Sequence, residues 1–287
     1  MNISQFHRNF LYNEIYIEII NYVIVMLTLQ NFTSLNNKVL SKVNPLILGK
    51  HPENTIFSFN YQNVSHINKF IKASRQNFFG TEHILIDIGS GNSPYYPIFS
   101  DIVREYIAID TADSLPKSEA RPIRQIVGFA EELPLQNSFA DIVLCNQVLE
   151  HVNDPIKAVS EMYRILKPGS LCIGSVPHIS PVHLEPYDFR RYTDLGLESL
   201  LKDAGFIDIK IEGNGGVYSA AALMIAMDWM LTSRKEGKPQ GFSASRALLL
   251  SPIVGLMNVA GLILDMMLGN KNRTPANLCW TATKPLN

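Results

Sequence analysis

From residue 83 onward the alternation of apolar and polar positions assigns elements one after another. Short apolar runs of strand length stand at His83–Ile88, Tyr106–Asp110, Ile123–Gly128, Asp141–Asn146, Leu171–Val176 and Ile207–Ile211, and Asn277–Lys284 reads as a last one. Between the later runs, Pro155–Leu166 and Asp194–Ala204 carry apolar residues at helical spacing. The first has a proline in its opening turn and the second is closed by Gly205. Upstream, Val64–Phe79 predicts a helix with Ile67, Phe70, Ile71 and Phe78 on one buried face. Strands alternating with helices predict an α/β fold: a Rossmann-like, doubly wound, mostly parallel seven-stranded sheet with helices on both faces. In that architecture ligands sit beyond the carboxyl ends of the strands.

The flanks break this rhythm. Leu11–Leu29 is apolar but carries Glu14, Glu18 and Asn21 on one helical face. With no positive cluster before it and no small-residue cleavage site after it, it reads as an amphipathic helix rather than a signal peptide. Residues 31–53 read as irregular with short helical pieces. After Gly216, Val217–Leu231 is nearly all apolar apart from Asp228, a polar link follows, and Ala247–Leu268 is again mostly apolar and about as long as a membrane span. The expected organisation is an N-terminal helical extension (1–80), an α/β domain (81–216 with 277–287) and an apolar helical insertion before the last strand (217–276). The last strand must return to the sheet, so the two apolar helices are expected as a hairpin. Ser251, Asn258 and Asp265 recur every seven residues along one narrow stripe, to face the companion helix or lipid headgroups. Such a hairpin would pack on the domain, join a homodimer, or make peripheral contact with a membrane.

Composition adds mainly exclusions. Twenty-five basic and 26 acidic side chains leave a net charge of −1, which gives no support to broad nucleic-acid binding. Cys145, Cys172 and Cys279 are widely spaced in apolar runs and read as buried reduced thiols, consistent with a cytoplasmic location.

The candidate chemistry begins where the first strand ends, at Asp87-Ile88-Gly89-Ser90-Gly91-Asn92. Glycines there let the backbone turn sharply and approach a ligand. About twenty residues on, Asp110 closes the second strand, where a carboxylate can accept both ribose hydroxyls of an adenosine ligand. Pro94 stands where a dinucleotide site would want a glycine, so the cofactor need not carry a pyrophosphate.

Six segments in order then resemble one family, the class I methyltransferases of the type 11 branch. They are Ile86–Gly91, Ala130–Pro134, Ser138–Asp141, Val148–Val152, Arg164–Gly169 and Ala204–Phe206. The resemblance implies S-adenosylmethionine as cofactor. By it, Asp87, Gly89, Ser90 and Gly91 would line the methionine part, Asp110 the ribose, Ala130 and Glu131 the adenine, and Asn146 and Gln147 the border after the fourth strand. The chain departs from the family at Phe129, where an aspartate is usual, and at Ser93, where a third glycine is usual.

Methyl transfer needs an aligned acceptor and often a base. His178, after the fifth strand, is the expected base. His151, His183, Tyr187, Arg191 and Tyr192 are expected at the acceptor, the last four within a loop that resembles type 11 members from bacterial glycan and cell-envelope clusters. No metal is expected. Glu150, His151 and His178 offer donors, but the related metal-dependent enzymes have an acid where Gln147 stands, and adjacent Glu150 and His151 would diverge on a helix. The acceptor expected is a small molecule, a glycan or a lipid-linked glycan, with a non-catalytic cofactor-fold adaptor as the rival reading.

Overall fold

The computed structural model describes residues 44–231, 243–268 and 273–286. The expected helix at 11–29, and residues 31–43 of the stretch expected to be irregular, lie outside the described residues.

A two-residue-per-strand hairpin, β1 (Gly49–Lys50) and β2 (Glu53–Asn54), precedes helix α1 (Tyr61–Arg75). There follow β3 (His83–Ile88), the short α2 (Tyr96–Phe99), β4 (Val103–Asp110), β5 (Ile123–Val127), β6 (Ala140–Asn146), α3 (Pro155–Ile165), β7 (Leu166–Pro177), α4 (Asp194–Asp203) and β8 (Ile207–Gly213). The helices α5 (Val217–Met230) and α6 (Ala244–Leu268) and the strand β9 (Asn277–Thr283) complete the order. Seven strands form one sheet in the order β5-β4-β3-β6-β7-β9-β8. The pairs from β5 to β7 are parallel; β9 runs antiparallel to both β7 and β8.

The central strand shows why the sheet is covered twice. Along β3, Ile84, Ile86 and Ile88 point to one face and Leu85 and Asp87 to the other, as the two-residue period requires. The first set packs with Met162 and Ile165 of α3 and Leu197 and Leu201 of α4. Leu85 packs with Ile67 and Ile71 of α1 and with Phe99 of α2. Both helices are capped by side chains: Asp154 caps α3 by accepting from the Lys157 amide at 3.0 Å, and Thr193 caps α4 through Gly196 at 3.0 Å. The three cysteines are buried and free, on β6, β7 and β9.

The insertion between β8 and β9 is a helical pair held by polar groups. The Asp265 carboxylate on α6 accepts from the amides of Gly216 (2.9 Å), Tyr218 (3.0 Å) and Ser219 (3.0 Å), so α6 caps the amino end of α5. Asn258 donates to the carbonyls of Ile56 (2.8 Å) and Ser58 (3.0 Å), while its own carbonyl accepts from Gln62 of α1 at 2.9 Å. Ser251 is also buried and bonds to the Leu248 carbonyl. The stripe therefore faces the protein along its whole length; of the two expected directions, companion helix or headgroups, Asp265 takes the first. Each of these groups has backbone partners to satisfy, and none reaches outward.

Candidate cofactor and acceptor site

β3 ends at Ile88, and the chain turns at Gly89 (φ +65°) and Gly91 (φ +49°), both in the left-handed region. A Cβ at Gly89 would collide with the Val148 side chain, while at Gly91 it would enter open space, on the side from which a ligand would approach. The amides of Gly89 and Ser90 donate to the Ile109 carbonyl at 2.8 and 3.3 Å, pinning the turn to the end of β4. Asp110 completes the anchorage: its carboxylate accepts from the amides of Gly91 (2.8 Å) and Thr111 (2.7 Å). Ser93 adopts φ +47° and its amide donates to the Ser90 carbonyl at 2.7 Å, so the serine at the third glycine position keeps the left-handed turn.

This turn forms one wall of a cavity of about 1040 Å³ at the carboxyl ends of the strands. Asp87, Gly89, Ser90, Gly91, Asn146, Gln147, His151 and His183 all line it. Asp87 is buried and accepts from the Tyr106 hydroxyl at 2.6 Å. Burial pushes its carboxyl up to about 7, the Tyr106 hydrogen bond opposes that rise, and the neighbouring Asp110 charge adds to it. Ser90 Oγ and Asn146 Nδ2 are buried without a hydrogen-bond partner among the described residues. Buried polar atoms left open at a cavity wall are available to a polar ligand or to water. A cationic, hydrogen-bonding cofactor bearing an amino acid moiety fits these residues.

Other expected site residues are placed elsewhere. Ala130 is buried in the core, and Glu131 accepts from the amides of Asn153 (2.9 Å) and Asp154; neither is among the cavity-lining residues. Phe129 is 64 % exposed. His178 does not line the cavity; its Nδ1 bonds the Tyr192 carbonyl at 2.7 Å, tying β7 to the loop before α4. Tyr192 is buried with its hydroxyl donating to the Leu149 carbonyl at 2.9 Å, and Arg191 clamps Asp188 at 2.6 and 2.7 Å while donating to the Ser180 and Pro181 carbonyls. Tyr187 is exposed, away from the cavity, with its carbonyl on His151. Of the residues expected at the acceptor, Arg191 and Tyr192 brace their own loop and Tyr187 is exposed, while His151 and His183 stand at the cavity wall.

The cavity also takes residues that the sequence did not single out. Lys50, Asn63, Asn68 and Lys72 come from the segment before β3, Met227 from α5, and Arg121 from the loop before β5. Arg121 is held by Glu119 and donates to the carbonyls of Asn92 (2.7 Å) and Ser93 (3.0 Å), so it braces the glycine turn. No motif marks these positions. The only available signal was the predicted helix from Val64, whose polar residues Asn68 and Lys72 lie between apolar ones.

The sheet order, with a glycine turn after β3 and a carboxylate ending β4, is that of the Rossmann-like fold of class I methyltransferases. Sequence comparison agrees: residues 86–174 match the family described as methyltransferase domain, type 11. Through these residues the chain is similar to the S-adenosylmethionine-dependent methyltransferases. A probable S-adenosylmethionine-dependent methyltransferase of Mycolicibacterium smegmatis is 31 % identical over 148 residues, covering 48 % of this chain and 56 % of that protein. A relative of the same description from Mycobacterium tuberculosis is 30 % identical over 142 residues, covering 46 % and 52 %. The chain spans about half the length of the curated relatives it matches. Among solved structures, the YcgJ protein of Bacillus subtilis has a TM-score of 0.50 at 18 % identity, covering 77 % of this chain and 99 % of that one, a likeness of fold.

Proposed function

We propose that the protein transfers a methyl group from S-adenosylmethionine to a hydroxyl of a small-molecule, glycan or lipid-linked acceptor, at the cytoplasmic surface of a membrane. The observation that carries the reading is the cavity wall at the glycine turn, where an ionisable Asp87 and the open Ser90 and Asn146 groups converge. When bound, the cofactor supplies an electrophilic sulfonium methyl. Asp87 would hold its ammonium and the Gly89–Gly91 backbone would lie along its methionine portion; Asp110, behind the turn it anchors, would present a carboxylate to its ribose. His151, His183 and Met227 face the remaining space, where the acceptor is oriented.

The membrane part of the proposal is supported by α6. It is 25 residues long with a mean hydropathy of 2.2 over its most apolar window, enough by length and composition to cross a membrane. Its polar side chains Ser251, Asn258 and Asp265 are buried, whereas Leu249, Ile253, Leu256, Val259, Leu262, Met266 and Met267 are exposed. A helix with its polar stripe fixed to the protein and its apolar side outward suits one leaflet better than water. Its companion α5 supplies Met227 to the cavity, so an acceptor arriving from a lipid surface has a short route.

Calorimetric titration with S-adenosylhomocysteine tests the cofactor site. Wild type is expected to bind, and Asp110→Ala to lose about 2–4 kcal/mol of binding free energy, since Asp110 both anchors the turn and accepts hydroxyls. Equal binding by both would remove the ribose assignment, and no binding by wild type would favour the adaptor reading. Incubation with labelled S-adenosylmethionine and membrane extract, followed by partition of the label between aqueous and lipid phases, identifies the acceptor class.

A further inference from the structure

At the acceptor end of the same cavity lies a second polar corner. The chain leaving β6 forms a turn at residues 149–151, with the His151 amide donating to the Val148 carbonyl at 2.8 Å. Glu150 and His151 would diverge on a helix, but this segment is not helical, which corrects the geometric ground for expecting no metal. With His183, from the loop after β7, they bring one potential ligand atom each to within 4.8 Å of one another. His151 Nε2 and Glu150 Oε1 are 3.6 Å apart, and the two imidazoles meet edge to face with centroids 5.2 Å apart.

The hydrogen bonds around the cluster fix what each group offers. His151 Nδ1 lies 2.6 Å from the Tyr187 carbonyl, and His183 Nδ1 lies 3.0 Å from the Pro181 carbonyl. A carbonyl can only accept, so each Nδ1 carries the hydrogen and each Nε2 presents a lone pair. A ring N–H held on a backbone carbonyl is also how metal-ligating histidines are oriented. Behind His183 the Asp188 carboxylate sits 3.3 Å from Nδ1 and is clamped by Arg191. Glu150 is fully buried, and neither of its carboxyl oxygens has a hydrogen-bond partner among the described residues. A carboxylate removed from water without any partner is expensive, and a cation beside it would supply one. Gln147 takes no part, because its amide donates to Asn277 and Ser175.

We propose that Glu150, His151 and His183 bind a divalent transition-metal ion at the acceptor end of the cavity, leaving coordination positions open to a ligand. Two imidazoles and one carboxylate match a catalytic zinc donor set and also suit manganese or cobalt. Bonds of about 2.0–2.2 Å require the three ligand atoms to draw together from separations of up to 4.8 Å. Both histidines line the cavity, so the open positions face the acceptor space. The ion's role there, as a Lewis acid that orients and acidifies an acceptor hydroxyl, rests on the methyltransferase reading; its binding does not.

The test uses the full chain, stripped with a chelator and titrated with Zn²⁺ by calorimetry, and with Co²⁺ read by its visible d–d absorption. One ion per chain is expected, with Glu150→Gln and His183→Ala each weakening binding at least tenfold. Glutamine keeps the shape of the side chain, and circular dichroism verifies that both variants fold. Zinc should raise the melting temperature of wild type but not of Glu150→Gln, by linkage. Absence of stoichiometric binding, or binding unchanged in both variants, overturns the proposal. S-adenosylhomocysteine titrated in parallel separates the two readings: a chain that binds zinc but not this ligand keeps the metal site and loses the methyltransferase reading, and the converse result does the reverse.

Discussion

The sheet half of the molecule and the α5–α6 pair obey opposite rules. In the sheet, apolar side chains such as Ile86, Leu144 and Trp280 are wholly buried, and ion pairs such as Arg75–Asp101 lie at the surface. On α6 the described polar stripe points inward and the exposed positions are apolar. Water drives the first arrangement, because burying apolar area is the main gain on folding. The second arrangement is held by directed hydrogen bonds, from Asp265 to α5 and from Asn258 to the segment before α1. The same chain thus carries one part with a polar surface and one whose outer face is apolar.

The sharpest separation comes from truncating one residue in each region. Trp280 is wholly buried on β9, where its ring packs over Gly174 of β7, so Trp280→Ala should cost about 3–5 kcal/mol in urea unfolding. Leu256 on α6 is 72 % exposed, and Leu256→Gln should change stability by less than about 0.5 kcal/mol. Equal losses would mean that α6 is covered within the folded chain in solution, and the contrast would collapse.

Removing the polar anchor tests what holds the pair. Asp265→Ala strips three amides at the start of α5 of their acceptor in a buried setting, with an expected cost of about 2–4 kcal/mol. Hydrogen exchange should report the loss as faster exchange at Gly216, Tyr218 and Ser219, with the β3 amides unchanged. Uniform acceleration across the sheet would show instead that the pair and the sheet unfold as one unit.

The outer face is tested by charge. Leu256→Glu should leave the fold intact and weaken association with anionic phospholipid vesicles about 10–100-fold, the equivalent of one well-buried leucine. Wild type that stays with the aqueous phase in flotation, and sediments as a monomer, would show that this face has no partner of either kind.

The contrast also explains what could be read in advance. Elements of the sheet half were legible because period-two and helical patterns, Pro155 and Gly205 act locally, and their predicted ends fall within a few residues of the observed ones for most elements. The glycine turn and Asp110 were legible because one strand–turn–helix segment carries them. What was missed depends on distant chain segments meeting. Nothing in Asn68, Arg121 or Met227 announces that three separate stretches close one cavity. Likewise the sequence grouped His178 with Glu150 and His151, and only the path of the loop puts His183 beside Glu150 instead. The seven-residue recurrence of Ser251, Asn258 and Asp265 was visible, but its direction was not: periodicity groups residues on a face without saying what the face meets.

The smallest expected effect is a pH dependence, and it sharpens the comparison because the sheet half contains one exception to its own rule. Asp87 is a buried carboxyl on the central strand whose pKa burial raises to about 7 from an ordinary 3.8. The folded state therefore holds a proton that the unfolded chain releases, so as pH rises from about 4 to 7 this group subtracts progressively from the stability of the cofactor-free protein. Cofactor binding runs the other way, since an ammonium is held by the ionised carboxylate. Affinity for S-adenosylhomocysteine should be flat above about pH 8 and fall about tenfold for each unit below 7, with proton release on binding in that lower range. Calorimetry in two buffers of different ionisation enthalpy measures the released proton directly. Asp87→Asn should bind more weakly and lose both the proton release and the slope. An unaltered slope in that variant would place the titrating group elsewhere, and would leave Asp87 as a structural partner of Tyr106 rather than the seat of the cofactor's charge.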